Sequence, residues 1–245
     1  NIIGTYTLLE VALNYYKSLN DTQKSNFRFL HISTDEVYGS LDEKGYFKES
    51  SQYNPSSPYS ASKASSDCLV KAWGRTFDLP ILITNCSNNY GPFQFPEKLI
   101  PLIVVNCLKN KELPIYGDGK NIRDWIYVND HCDALYKVLK TGRVGETYNI
   151  GASNERTNLE IVTMICEILD KKYPSKNLPS YKKLIRFTED RPGHDFRYAI
   201  DTKKIRSELD WEPKYEFKSA LISTIDWYLD NKKWWQHILD NKNET

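Results

Sequence analysis

Helix-like and strand-like patterns alternate from the first residues onward, and this alternation restricts the fold more than any other feature of the chain. Leu8, Leu9, Ala12, Leu13 and Tyr16 recur at helical spacing, so residues 2 to 19 are predicted to form an amphipathic helix. The polar run Asn20 to Asn26 ends it. Phe27 to Ile32 is a short apolar run with β propensity and reads as a buried strand. A loop rich in Ser, Glu, Gly and Pro follows from Gly39 to Pro58, then a second helix from about Tyr59 to Phe77. Leu79-Pro80 breaks that helix before a strand at Ile81 to Thr84. Helix, strand, long loop, helix, strand is the order expected of βα units on a parallel sheet. The predicted fold class is therefore α/β, a doubly wound parallel sheet.

The texture changes after Tyr90-Gly91-Pro92. Leu99 to Leu108 reads as a helix, and Leu113 to Tyr116 and Ile122 to Val128 as strands around an Asp118-Gly119 turn. Asp130 to Leu139 is predicted helical and Thr147 to Ile150 extended. Thr157 or Asn158 can cap a helix through Leu169, with Glu160 in its first turn. Residues 170 to 183 read as a surface loop, Ile185 to Thr188 as a strand, and Asp201 as the cap of a helix to Leu209. Lys218 to Leu229 is a last amphipathic helix, and Trp227, Trp234 and Trp235 are expected to pack on the core. Two lobes are expected: residues 1 to 92, and a smaller α/β lobe from 93 to 245 with about 128 to 157 returning to the first.

Charge and cysteine content narrow the function classes. Lys+Arg is 33 and Asp+Glu is 32, so no basic surface for nucleic acid is expected. The most apolar window, Leu99 to Leu108, is too short to span a bilayer. Cys68, Cys86, Cys107, Cys132 and Cys166 are scattered without a C-x-x-C pair, which fits reduced thiols in the cytoplasm. The four histidines show no metal-ligand spacing, so no metal site is expected.

Tyr59 and Lys63 sit four apart at the start of a predicted helix, on one face. An ammonium beside a phenol favours phenolate and brings a tyrosine toward base strength. The same spacing recurs at Tyr116/Lys120, Tyr136/Lys140 and Tyr228/Lys232, where a solvated pair is the plain reading. Context singles out the first pair. The strand at Phe27 runs into Ser33-Thr34-Asp35-Glu36-Val37-Tyr38-Gly39, and ligands bind beyond the carboxyl ends of strands in such sheets. Two adjacent carboxylates in a crevice repel each other, so one holds its proton while the other ionises.

Ser33 to Gly39, Pro55 to Lys63 and Asn88-Asn89-Tyr90-Gly91-Pro92 resemble the extended short-chain dehydrogenase/reductase family. Phe95 to Pro101, Leu113 to Gly117, Arg123-Asp124-Trp125 and Asp190 to Asp195 resemble its nucleotide-sugar 4,6-dehydratases in order, over essentially the whole chain. The resemblance implies NAD as cofactor and a nucleoside-diphosphate glucose, dTDP-glucose, as substrate. It implies that Tyr59 takes the proton of the sugar 4-hydroxyl while hydride leaves C4, that Lys63 tunes Tyr59 and holds the nicotinamide ribose, and that Thr34 bonds near the 4-oxygen. Glu36 then removes the C5 proton, Asp35 protonates the departing 6-hydroxyl, and hydride returns to C6. By the same resemblance Asn89 faces the nicotinamide and Asn88 the diphosphate or sugar. Lys98, Leu99 and Pro114, Ile115 and Tyr116 line the nucleotide pocket, and Arg123, Asn158, Arg191 and His194 reach the diphosphate or nucleoside. Without it, Arg123 reads equally as a surface ion pair with Asp124, and His194 as a loop residue.

The family opens with a strand, a Gly-rich turn and a helix that hold the dinucleotide pyrophosphate. No such glycine pattern stands in these residues, and the chain starts at Asn1 as if inside a helix, so an N-terminal truncation is expected. The helices starting near Asn1 and Tyr59 resemble the family's dimer-forming pair, which implies a homodimer through a four-helix bundle. Two rivals stay open: a nucleotide-sugar 4-epimerase or decarboxylase of the same fold, which usually lacks the Asp-Glu pair, and a non-catalytic nucleotide-sugar-binding or dimerisation fragment.

Overall fold

The computed structural model describes residues 1–241. Helices α1 (Ile2–Ser18) and α2 (Asp21–Asn26) precede β1 (Phe29–Thr34), and one 3₁₀ turn (Asp35–Tyr38) follows it. Then come α3 (Pro58–Phe77), β2 (Ile81–Cys86), β3 (Asn88–Tyr90), α4 (Leu99–Leu108), β4 (Leu113–Tyr116) and β5 (Ile122–Tyr127). The rest is α5 (Val128–Thr141), β6 (Thr147–Ile150), β7 (Glu155–Thr157), α6 (Asn158–Lys172), β8 (Ile185–Thr188), α7 (Lys203–Leu209), α8 (Phe217–Asp230) and α9 (Lys232–Asn241).

Strands β1, β2 and β6 form a parallel sheet in the order β1-β2-β6, with Phe29 opposite Ile81 and Thr34 opposite Cys86. β2 is apolar on both faces because both are covered. Ile81 and Ile83 enter a cluster with Leu9 and Leu13 of α1 and Val70 of α3. Leu82 points the other way, into a cluster with Ala134 and Val138 of α5 and Ile205 and Leu209 of α7. The period of two along the strand thus produces three layers, helix on sheet on helix, the predicted doubly wound α/β arrangement. A larger core lies in the other lobe, where α4, α6, α8 and α9 pack around β4 and β5. Trp235 of α9 is buried there, and Trp227 and Trp234 stack against Phe93, as their predicted packing role requires.

Several local expectations change. Residues 20–26 are not merely a polar stop: Asn20 accepts from Gln23 N and the Gln23 side chain returns to Asn20 N, a capping box that starts α2. β1 therefore begins two residues later than predicted and reaches Thr34. The strands flanking Asp118-Gly119 do not pair with each other, since β4 pairs with β8 and β5 with β3 and β7. α6 is capped by Thr157 with Glu160, as predicted, but runs on to Lys172, and a 3₁₀ turn (Tyr181–Leu184) stands in the predicted loop. α7 starts after Thr202, with Asp201 accepting from Lys203 N at 2.9 Å. Among the described residues no helix is long and apolar enough to cross a membrane.

Candidate active site

Because β1 and β2 are parallel and in register, their carboxyl ends deliver Thr34-Asp35-Glu36 and Cys86 to one edge of the sheet. The chain leaves the 3₁₀ turn through Gly39, whose φ is 91°, and a Cβ there would stand 2.4 Å from the Asn54 carbonyl oxygen. Only glycine lets the turn close against the loop that returns to α3. α3 begins at that loop. Ser57 and Ser60 form a reciprocal cap at 3.1 and 3.0 Å, and Pro58 occupies the first turn. This start aims Tyr59, 51 % exposed, and Lys63 across the end of β1.

Lys63 Nζ donates to the Ile32 carbonyl at 2.8 Å. One of its three donors is thus used on the strand, and the expected lowering of the Tyr59 pKa is not found. Burial, with Glu36, Cys86 and Asp35 nearby, holds the Tyr59 phenol above its ordinary value. Burial also pulls Lys63 below its ordinary value, opposed by the charge of Asp67. The other three Tyr/Lys pairs lie away from this edge. Tyr228 donates to the Gln94 carbonyl, Lys120 pairs with Asp118, and Lys140 lies over its own Tyr136 ring.

The two carboxyls shift in the same direction, and burial rather than adjacency is the largest cause for each. Asp35 is buried, and burial, then the charges of Glu36 and Asp124, push its pKa well above the usual carboxylate range. Its Oδ2 is buried with no hydrogen-bond partner among the described residues. Glu36 is half-buried, and burial raises it too, countered by Arg123, Arg191 and Lys98. Thr34 Oγ1 accepts from Glu36 N at 3.3 Å and so also caps the turn. The site therefore has two carboxyl groups on consecutive residues, one buried and one half-buried, beside an exposed phenol.

The second lobe supplies the facing wall. Arg123 is 6 % exposed and donates to the carbonyls of Ile122 (2.7 Å), Asp195 (2.9 Å) and Phe196 (3.2 Å), with its guanidinium 4.2 Å from the centre of the Tyr198 ring. The surface pairing with Asp124 does not occur. Asp124 is buried on the other face of β5, accepting from Ala152 N and Asn154 N at 3.0 and 2.6 Å. Arg191 lies 5.2 Å over the Tyr116 ring, and His194 bonds Asp190 at 2.6 Å. Gly193 comes so close to the first lobe that a Cβ there would lie 3.1 Å from the Ser56 carbonyl oxygen, and its φ is 66°. The segment around it thus closes over the start of α3.

Other expected contacts divide. Along β4 the side chains alternate, so Pro114 and Tyr116 face outward while Ile115, 2 % exposed, joins the core and does not line a pocket. Leu99 packs partly on the same core, and Lys98 is the exposed residue before α4. Asn158 opens α6, with its backbone N bonded to the Asn121 carbonyl at 3.1 Å. Asn88 is half-buried. Asn89 is engaged internally: Oδ1 meets His131 Nδ1 at 2.8 Å and Nδ2 donates to the Ser87 carbonyl at 3.1 Å. The sequence reading missed Cys86, Asp195 and Tyr198, which lie among the acids and Arg123, because β1 and β2 register and the return of residues 195–198 are both non-local. Cavities of about 270 and 330 Å³ lie elsewhere, around Tyr127 and Tyr215 and around Lys71 and Leu79, and none of their lining residues is a member of the acid pair.

The residues present suit a dinucleotide on the α3 side of this edge, with an exposed phenol, a lysine held at the strand end and a buried acid with an unused oxygen. The profile of the GDP-mannose 4,6 dehydratase family matches residues 1–224. A dTDP-glucose 4,6-dehydratase of Xanthomonas campestris pv. campestris is 55 % identical over 240 residues, spanning 98 % of this chain and 68 % of that protein. The structure of dTDP-glucose 4,6-dehydratase from Bacillus anthracis in complex with NAD superposes with a TM-score of 0.84 at 48 % identity, covering 96 % of this chain and 69 % of that one. The enzyme of the same name from Streptomyces venezuelae, with NAD and TYD bound, gives 0.85 at 44 % identity, covering 96 % and 67 %. With the acid pair at the strand end and this extent of likeness, the chain belongs to the dTDP-glucose 4,6-dehydratase family.

Proposed function

We propose that this protein is a hydro-lyase that converts dTDP-glucose to the 4-keto-6-deoxy sugar with bound NAD, for deoxysugar biosynthesis of the rhamnose type. The observation that carries the reading is the Asp35-Glu36 pair beside Tyr59, with Asp35 buried and its Oδ2 without a hydrogen-bond partner among the described residues. Tyr59, Lys63 and Asn89 would hold NAD, which when bound would supply the hydride acceptor and donor. Every proton transfer falls to this chain. Tyr59 takes the proton of the 4-hydroxyl, with Thr34 bonding near that oxygen. The resulting ketone acidifies C5, and Glu36 removes its proton and returns it to C5 when hydride adds at C6. Asp35, with its pKa held high by burial, donates to the departing 6-hydroxyl. Asn88, Lys98, Leu99, Pro114, Tyr116, Arg123, Asn158, Arg191 and His194 form the nucleotide side. Arg123 does this through the carbonyls it holds, since three of its bonds go to backbone.

The two-lobe division at residue 92 is supported by separate cores, with α5 and β6 returning to the first sheet. A homodimer through α1 and α3 is supported by exposed Leu8, Val11 and Tyr15 along one stripe of α1. Five free cysteines support a reducing, cytoplasmic setting.

Incubating the full gene product with dTDP-glucose and reading the product by mass spectrometry tests the function. Loss of one water is expected. A product of unchanged mass with inverted C4 assigns an epimerase instead, and no change of substrate assigns a binding protein.

A further inference from the structure

One turn beyond Lys63 on α3, and on the same face, stands Asp67, a carboxylate that the mechanism above leaves without a task. It is 0 % exposed, in a position where a charge is costly unless it is compensated. Its Oδ1 lies 3.1 Å from His31 Nε2 on β1. Its Oδ2 accepts from the Tyr53 hydroxyl at 2.9 Å and from Asn85 Nδ2 at 3.4 Å. Asn85 Nδ2 also donates to the Thr34 carbonyl at 3.0 Å, at the residue where the acid pair begins. One carboxylate thus ties together the helix that carries Tyr59 and Lys63, the strand that ends in Thr34, the neighbouring strand β2 and the returning loop.

We infer that Asp67 is a positioning residue for Lys63: it supplies a buried counter-charge one turn from the lysine and locks α3 in register with the acid-bearing end of β1. The inference rests on the reading of Tyr59 and Lys63 as the pair that serves hydride transfer. Burial weakens the hold of Lys63 on its proton, and the charge of Asp67 is the first opposing influence. A neutral lysine loses its electrostatic grip on a phenolate and on a ribose. A shifted α3 separates the phenol from Glu36 and Asp35. The titratable groups facing the pair are Tyr59 and Lys71 on α3, His31 on β1, Tyr53 from the loop, Tyr38 from the 3₁₀ turn and Cys86 on β2. Of these, His31 and Tyr53 contact the Asp67 carboxylate directly, and Lys71 reaches it only through Tyr53 at 3.4 Å.

Asp67→Asn keeps the shape and removes the charge. In the full gene product, NMR titration of ¹³C-lysine, with the Lys63 signal assigned by Lys63→Arg, is expected to show the Lys63 pKa lower by about one unit in Asp67→Asn. Hydride abstraction from substrate slows on the order of 100-fold, the effect of a misplaced reacting pair, while KM for the nucleotide sugar stays put. An unmoved Lys63 pKa, or a variant that only melts earlier with its hydride step intact, overturns the inference. Hydride abstraction is common to dehydratases and epimerases of this fold. A product other than the keto-deoxy sugar therefore counts against the proposed reaction and leaves the Asp67 result standing.

Discussion

At the residue scale, depth separates the two site acids more than proximity does. Asp35 and Glu36 are neighbours, but only Asp35 is sealed beneath the 3₁₀ turn, so its proton is the harder to remove. Adjacency in the sequence announces that the two must differ, but not which is deeper, because depth depends on the turn at Gly39. The target of Lys63 was equally unreadable, since a carbonyl on β1 is 31 residues away and is brought near only by packing of the helix on the sheet. His131 shows the same physics away from the reacting groups. It is buried against Asn89, its Nε2 has no partner among the described residues, and burial pushes its pKa down to about 4. A histidine kept neutral in the fold but protonated when unfolded near 6.5 stabilises fully above 6.5 and progressively less as pH falls toward 4. The span corresponds to about 3 kcal/mol. The unfolding free energy measured with urea from pH 4 to 7 should therefore rise with pH in the wild type and rise less by about that amount in His131→Asn. Parallel curves for the two proteins contradict a neutral, buried His131.

At the scale of elements, the long helices and the strand β2 were legible because their signals are local. The Ser57-Pro58 start of α3, the Thr157–Glu160 cap and the Leu-Pro break after Phe77 each act within a few residues. Pairing partners were not. β4 joins β8 across some seventy positions, and three-residue strands such as β3 and β7 carry too little pattern to announce themselves. α9 escaped because its apolar face is built from tryptophans that contact α8 and Phe93 rather than from an aliphatic stripe. The faces left uncovered are informative too. Leu8, Val11 and Tyr15 stay exposed on α1, next to an α3 whose outward positions Ala61, Cys68 and Ala72 are small. Small residues beside large apolar ones let two helix pairs approach closely. The proposed dimer through α1 and α3 predicts that Val11→Glu sediments as a monomer at concentrations where the wild type sediments as a dimer, since a charge in an apolar bundle has no partner. A wild type that sediments as a monomer at every concentration rules this interface out.

At the scale of the molecule, two cores meet at one edge. The doubly wound sheet contributes phenol, lysine and acids from the ends of parallel strands. The second lobe contributes Arg123, Arg191 and Lys98, whose charges reach Glu36. Arg197 fastens the lobes together: its guanidinium pairs with Glu155 at 2.6 Å and donates to the carbonyls of Asp42 and Gly45. That bridge follows the closure at Gly193 and holds residues 195–200 beside the loop after the 3₁₀ turn. The sheet and its catalytic edge follow from patterns that a sequence displays, whereas the facing wall depends on a return of the chain that no local signal marks. The central claim is that Tyr59 opens the reaction and Glu36 carries it past the ketone. Stopped-flow absorbance of reduced nicotinamide in the full gene product, loaded with NAD and mixed with dTDP-glucose, tests it directly. Glu36→Gln should still accept the hydride but lose C5 proton removal, slowing turnover by about 10²–10⁴-fold, so the reduced-nicotinamide signal builds up and persists. Tyr59→Phe should give no such signal. Wild-type turnover by Glu36→Gln, or a rapid signal from Tyr59→Phe, contradicts the assignment.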